Sequence, residues 1–176
     1  MPSAANACAA SRRDCPRWAQ VDAATRPHGL ATPGGTVSHV GVSGFVLGGG
    51  GGWLTRRFGL AVDNLMAAEV VTADGRIVRA AEDENPDLLF GLRGGGGNFG
   101  IVTSFCYRAH PMTTVLGGLL VYPRSKALEV LKNFRDFARV SHDDLTVYGA
   151  LLTGPDGAPI TAVIPCYSGD DLSEGE

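Results

Sequence analysis

The sequence predicts an α+β protein in two parts, and three observations carry that prediction. Apolar and polar residues alternate through 99–108 (FGIVTSFCYR), the period of a half-buried strand. Asp74-Gly75, set between two Val-rich runs, is a hairpin signal. After His110-Pro111 the pattern changes to strand, amphipathic helix, strand, strand, which reads as a second antiparallel sheet covered by a helix.

Taken in order, residues 1–14 are rich in Ala, Ser and Arg, show no period, and are expected to be poorly ordered. Residues 18–28 read as a short helix with Trp18, Val21, Ala24 and Thr25 near helical spacing. Pro27 should loosen its last turn and Gly29 should stop it. Residues 33–64 (PGGTVSHVGVSGFVLGGGGGWLTRRFGLAVDN) are read as a glycine-rich loop. Residues 65–72 are a strand, and Ile77-Val78 supply its return. Asn85 is expected to cap a brief helix with Pro86 in its first turn, Leu88, Leu89 and Leu92 packed, and a stop at Gly94. A turn over 94–97 leads to the strand 99–108. There the alternation places Ile101, Thr103, Phe105 and Tyr107 on one face and Val102, Ser104 and Cys106 on the other. In the second part, 115–122 is a strand. Ser125 can cap a helix carrying Ala127, Leu131, Phe134 and Ala138 on one face. Residues 145–152 and 160–167 are antiparallel strands joined by a turn over 153–157, with Pro165 marking an edge or an end. Nothing in the sequence closes this second sheet, so an exposed edge is expected to favour self-association.

Net charge −3 and a pI of about 5.8 argue against a nucleic-acid surface, which needs clustered Lys and Arg. No apolar run approaches the ~20 residues that span a bilayer, and the first residues have no apolar core of a secretory signal. Cys8, Cys15, Cys106 and Cys166 show no ligand spacing, which predicts free thiols and a cytoplasmic location.

The chemistry is expected in residues 33–64. Glycine is about twice its usual ~7% in the 25 found here, and residues 48–52 are five in succession. Such density has a use where backbone must lie close to a ligand with its N–H groups free to donate. A dinucleotide-binding turn would have to follow a strand, open a helix and carry a later acid, and this run does not. A phosphate loop needs Gly-Lys-Ser or Gly-Lys-Thr, which is absent. A flexible linker would be polar, whereas these glycines sit among Val40, Val42, Phe45, Val46, Leu47, Trp53 and Leu54, which favours a packed, ligand-lining loop. His28, His39, His110 and His142 have no metal-ligand spacing, so no metal is expected. Ser43 is not set in a nucleophile elbow.

Three blocks, GGTVSHVGVSGFVLGGGGGWLTRRFGLAVDN, VVTADGRIV and ENPDLLFGLRGGGGNFGIVTSF, resemble in order and spacing the FAD-linked oxidases of the vanillyl-alcohol oxidase (PCMH-type) superfamily, most of all bacterial relatives of berberine bridge enzyme. The resemblance implies an unmatched start at 1–14. It assigns 15–111 to the second subdomain of a PCMH-type FAD-binding domain and 112–176 to the opening of a substrate domain. The first FAD subdomain, with its pyrophosphate loop and histidyl flavin anchor, has no counterpart here, and the substrate domain is expected to be incomplete.

By position, the resemblance places Gly35, Thr36, Val37 and Ser38 beside the flavin. Gly41, Val42, Ser43, Gly44 and Val46 would give backbone and hydroxyl contacts to the ribityl and phosphates, and Ile101 and Val102 would lie under the adenine side. Asp63, Asn64 and Arg93 are assigned structural roles. Where some members carry a cysteinyl flavin anchor, this chain has Val37, so no cysteinyl attachment is expected. Phe45 stands where plant members place a histidine. No catalytic role falls on Tyr122, Tyr148 or Tyr167. The implied function is part of an FAD-dependent oxidoreductase that oxidises an alcohol, amine or sugar-like small molecule by hydride transfer to flavin N5, with O₂ as oxidant. A non-catalytic remnant or half-protein is the open alternative.

Overall fold

The structure, a computed structural model, describes the backbone of residues 5–9 and both backbone and side chains of residues 16–175. The chain divides into two compact units, residues 1–113 and 114–176.

The first unit is an antiparallel sheet with helices packed against one face. β3 (Leu65–Val71) and β4 (Ile77–Ala81) form the expected hairpin, with Val71 opposite Ile77. β5 (Ile101–Pro111) pairs with β3 on its other side. The backbone of β1 (Ala5–Ala9) and the two-residue β2 (Leu30–Ala31) also pair with β5. A strand at 5–9 departs from the unstructured start read from composition. Its register sets Cys8 opposite Cys106. Cys106 is disulfide-bonded, contrary to the expectation of free thiols, whereas Cys166 is free and buried.

Helix α1 (Trp18–Thr25) passes at Arg26–His28 into a 3-10 turn, the loosening that Pro27 imposes. Gly29 then ends it at φ 65°, a left-handed value that glycine adopts without strain. Two short helices that the sequence did not announce lie within the glycine-rich stretch. They are α2 (Val42–Leu47) and α3 (Thr55–Phe58). α2 forms because Val42, Val46 and Leu47 share one face and all three are buried. The core joins them to Trp18, Val21, Leu65, Val70, Phe105 and Tyr107, and to Leu89 and Leu92 of α4 (Pro86–Leu92). Asn85 takes the N-cap position of α4, but its side chain makes no bond to the helix's first amides. At φ 52° its Nδ2 turns back to donate to the Arg79 carbonyl at 2.7 Å.

The alternation expected for β5 breaks at its start. Val70 pairs with Val102 and Glu69 with Ser104, so Thr103 is an extra residue, a β-bulge that shifts the phase by one. Val102 therefore joins the core with Phe105 and Tyr107, and Ile101 is 71% exposed.

The second unit is a sheet covered by α5 (Ala127–Val140). A 3-10 turn at Arg124–Lys126 precedes α5, so Lys126 rather than Ser125 takes the cap position. Leu131 and Phe134 stand over Gly149 of β8 (Leu145–Thr153), where a Cβ would come within 3.2 and 3.3 Å of them. β9 (Pro159–Tyr167) is central. It pairs with β8 on one side and, on the other, with β6 (Leu116–Gly117) and β7 (Leu120–Pro123). Pro165 thus lies in the middle of the sheet, not at an edge. Its missing N–H faces the break between β6 and β7, and its carbonyl accepts from Gly118 at 3.1 Å.

Candidate functional site

The site begins where α1 meets the glycine-rich stretch. The first amides of α1 have no partner inside the helix. They donate outward instead, Trp18 N–H to the Val40 carbonyl at 3.1 Å and Ala19 N–H to the Ser38 carbonyl at 2.9 Å. Val42 N–H donates to the Pro16 carbonyl at 2.8 Å, and Val40 N–H closes a turn onto the Val37 carbonyl at 3.2 Å. These bonds draw the loop's carbonyls toward α1. Among the described residues, no hydrogen bond engages the amide N–H groups of Gly35, Thr36, Val37, Ser38 or His39. Residues 36–39 are exposed, so this run presents successive donors at the surface. No Asp or Glu occurs between Pro33 and Val62, and the first acid, Asp63, is occupied in accepting from Leu60 N–H at 2.8 Å.

Glycine packing holds the run in place. A Cβ on Gly34 would lie 2.6 Å from the Trp18 ring, and one on Gly52 would lie 1.8 Å from the Gly34 carbonyl oxygen. Phe45 meets Trp18 edge-on, ring centroids 5.5 Å apart, and also fills the space above Gly35 and Gly50. Gly49 and Gly50 offer their carbonyls to Val62 and Ala61 N–H at 3.0 and 2.8 Å. Within the five glycines, Gly50 and Gly52 are therefore where chain lies on chain. The ring nitrogen of Trp18 is buried with no hydrogen-bond partner among the described residues. Nothing in the sequence surroundings of Trp18 distinguishes it from an ordinary core tryptophan.

Behind the loop, buried Asn64 donates through Nδ2 to the Phe58 and Leu60 carbonyls, both at 2.9 Å. Its Oδ1 lies 2.8 Å from His110 Nε2. Because Nδ2 is committed to donating, Oδ1 must accept, which assigns the proton to Nε2 of His110. The His110 ring stacks on Phe58 at 3.9 Å. Burial, then Arg108 and Arg57, push its pKa below the usual value of 6.5. Arg93 donates to the Leu65 carbonyl at 2.7 Å and lies 3.8 Å from Glu82. Asp63, Asn64 and Arg93 thus hold the structural positions expected of them.

The structure brings Gly35, Thr36, Val37 and Ser38 together in the open run. Gly41 precedes α2, Ser43 is half-buried, and Gly44 is exposed with open space where a Cβ would be. Val42 and Val46 are core residues at 1% and 0% exposure, which leaves only their backbone for any ligand. Val102 is half-buried and packs against the core, and Ile101, the first residue of β5, faces solvent. Of the strand tyrosines, Tyr122 is half-buried and Tyr167 is buried with its hydroxyl donating to Glu174 at 3.1 Å. Two grooves of about 460 and 350 Å³ lie on the outer face of the first sheet around Ala67, Arg79 and Cys106, and neither is lined by residues 33–62.

Comparison with known proteins shows what this segment is similar to. Residues 16–81 match the family described as FAD binding domain. Over that segment the chain is similar to FAD-binding domains. It is 34% identical over 151 residues to an FAD-linked oxidoreductase of Dictyostelium discoideum, a match that covers 86% of this chain and 33% of that protein. Its fold is similar to that of 6-hydroxy-D-nicotine oxidase from Arthrobacter nicotinovorans, with TM-score 0.84 and 27% identity over 96% of this chain and 37% of the other. It is also similar to xylooligosaccharide oxidase from Myceliophthora thermophila, with TM-score 0.80 and 28% identity over 99% of this chain and 37% of the other. The chain spans 18–33% of the length of the curated relatives it matches. The matched segment takes in α1, the open amide run, the glycine packing and the β3–β4 hairpin.

Proposed function

We propose that this chain supplies one wall of the FAD site of an oxidoreductase acting on an alcohol, amine or sugar-like small molecule. The observation that carries the reading is the run of open amides at Gly35, Thr36, Val37, Ser38 and His39, held by α1 and by the packing of Gly34 and Gly52 against Trp18 and each other. Such a run fits FAD: it offers aligned donors to a pyrophosphate or to carbonyl edges of a flavin, and residues 33–62 contain no carboxylate to oppose an anion. Bound FAD would supply hydride acceptance at N5, with O₂ restoring the oxidised cofactor.

This chain's part is positional. The amides of Gly35 to His39 orient the group, and Gly44 leaves room for it to approach α2. Trp18 and Phe45 exclude water from the back of the loop. Val37 stands exposed where the resemblance puts a cysteinyl anchor, so this segment offers no thiol for attachment. The sugar-oxidase neighbour supports the sugar-like substrate class, and the bacterial berberine bridge enzyme-like branch remains the nearest reading of the three sequence blocks.

Titration of the chain with FAD, followed by flavin fluorescence, tests the reading. Quenching is expected. Val37→Pro, which removes one open donor, should weaken binding about tenfold, the value of one charge-assisted hydrogen bond. Unchanged FAD fluorescence across the titration would overturn the proposal.

A further inference from the structure

One buried polar group beside the open amides is left without a partner. The Trp18 side chain is 1% exposed, and its Nε1–H meets no acceptor among the described residues. The atom is already covered within the chain itself, so water does not serve it as an acceptor from outside. Burying a donor in this way costs free energy, and such groups are rare in folded proteins.

The surroundings point to one acceptor. A Cβ on Gly35 would lie 3.4 Å from Trp18 Cδ1, the ring carbon bonded to Nε1, and 3.2 Å from the Phe45 ring. Gly35 therefore packs on the pyrrole edge of the indole, whereas Gly34 packs on its six-membered ring, beside Cε3 and Cζ3. Among the described residues the Gly35 carbonyl accepts no hydrogen bond, and the Thr36 N–H donates none. An unmet acceptor thus belongs to the residue that touches the unmet donor. In a planar trans peptide the C=O and N–H point in opposite directions. Turning the Gly35–Thr36 peptide so that its carbonyl meets the indole aims the Thr36 N–H away from Trp18, toward the exposed side of the loop. Gly35 has no Cβ, so this rotation meets little resistance.

We propose that Trp18 is a positioning residue for the cofactor: with FAD bound, its Nε1–H donates to the Gly35 carbonyl and holds the Thr36 N–H aimed at the ligand. This rests on the reading of residues 35–39 as a wall of an FAD site. An acceptor oxygen on the ligand draws the Thr36 N–H outward, and the same rotation carries the Gly35 carbonyl inward onto the indole. The two bonds form together, and the cost of the orphaned donor is then removed. Trp18 does not touch the ligand. It acts through one peptide.

The test is the indole N–H signal of the ¹³C,¹⁵N-labelled full chain during titration with FAD. The chain has two tryptophans, and the signal lost in Trp18→Phe assigns the pair. The Trp18 indole proton is expected to move downfield and to exchange more slowly with water. The Gly35 carbonyl carbon should move downfield with it, and both should saturate together with the Thr36 amide. Trp18→Phe keeps a ring but no donor, and should bind FAD about fivefold more weakly, the value of one neutral hydrogen bond. If that variant does not fold, the wild-type indole signal decides alone. Amides 35–39 that shift while the Trp18 indole and the Gly35 carbonyl do not would overturn the role of Trp18 and leave the FAD wall standing. A folded Trp18→Phe chain that binds FAD as tightly as wild type would overturn that role too. No shift at any of these groups would remove both.

Discussion

Gly52→Ala tests the packing that holds the open amides. Its new Cβ would lie 1.8 Å from the Gly34 carbonyl oxygen and 3.0 Å from the Gly34 carbonyl carbon. Both obstructing atoms are backbone, so no rotamer change can relieve the contact. Ordinary van der Waals separation begins at 3.4 Å, so the two strands of the loop must part by roughly 1.5 Å. Gly34 cannot retreat, because it already rests on Trp18, where its own Cβ would be 2.6 Å from the ring. The cost should reach the upper end of overpacking, about 3 kcal/mol. For a unit of this size that lowers the melting temperature on the order of 10 °C. Trp18 is 1% exposed, and its fluorescence should report the disturbance directly. Gly44→Ala is the control. It lies within α2 with nothing near its would-be Cβ, and it should stabilise the apo chain by about 0.5–1 kcal/mol. Thermal unfolding followed by fluorescence compares the two. If Gly52→Ala melts within about 1 °C of wild type, the chain-on-chain account of the five glycines is wrong.

Three further outcomes follow from the same geometry. Asn64→Ala strips partners from the Phe58 and Leu60 carbonyls and from His110, and denaturant unfolding should show a loss of about 2–4 kcal/mol. His110 has a folded pKa below 6.5, so the unfolded chain binds its proton first. Its contribution is fully present above pH 6.5 and is lost as pH falls through the window between that value and the lower folded pKa. His110→Phe keeps a ring on Phe58 but orphans Asn64 Oδ1, and should cost about 1–3 kcal/mol at neutral pH while flattening the pH dependence across that window. Gly149→Ala places a methyl 3.2 Å from Leu131, and because that side chain can shift, the melting temperature should fall by only a few degrees, about 1 kcal/mol.

Much of the architecture was legible where a single local signal agreed with its surroundings. Pro27 and Gly29 ended α1 as their backbone preferences require, and Asp74-Gly75 turned the β3–β4 hairpin. The departures come from interactions that are not local in sequence. Thr103 became a bulge because β5 must match β3, and no alternation within β5 can reveal a partner's register. Pro165 fits a central strand only because β6 and β7 part beside its missing N–H. Asn85 carried a capping signal, but the Arg79 carbonyl competed for its side chain.

The glycine-rich stretch was legible as a packed loop from its apolar neighbours, and its open donors were anticipated. What the sequence could not disclose is the division of labour among the glycines. Gly34, Gly50 and Gly52 serve contacts with Trp18, Phe45 and one another, partners brought in by folding. Val42 and Val46, assigned backbone contacts with the cofactor by position, bury their side chains in the core, a consequence of the short helix α2 whose face is set by the sheet beneath it.

The central claim is that the amides of Gly35, Thr36, Val37, Ser38 and His39 form a wall of an FAD site. Its most direct test is the amide spectrum of the ¹⁵N-labelled chain during titration with FAD, which detects weak as well as tight association. The account predicts saturable shifts concentrated at residues 35–39 and the first turn of α2. It would be contradicted by an unchanged spectrum, or by shifts concentrated instead in the grooves around Ala67, Arg79 and Cys106.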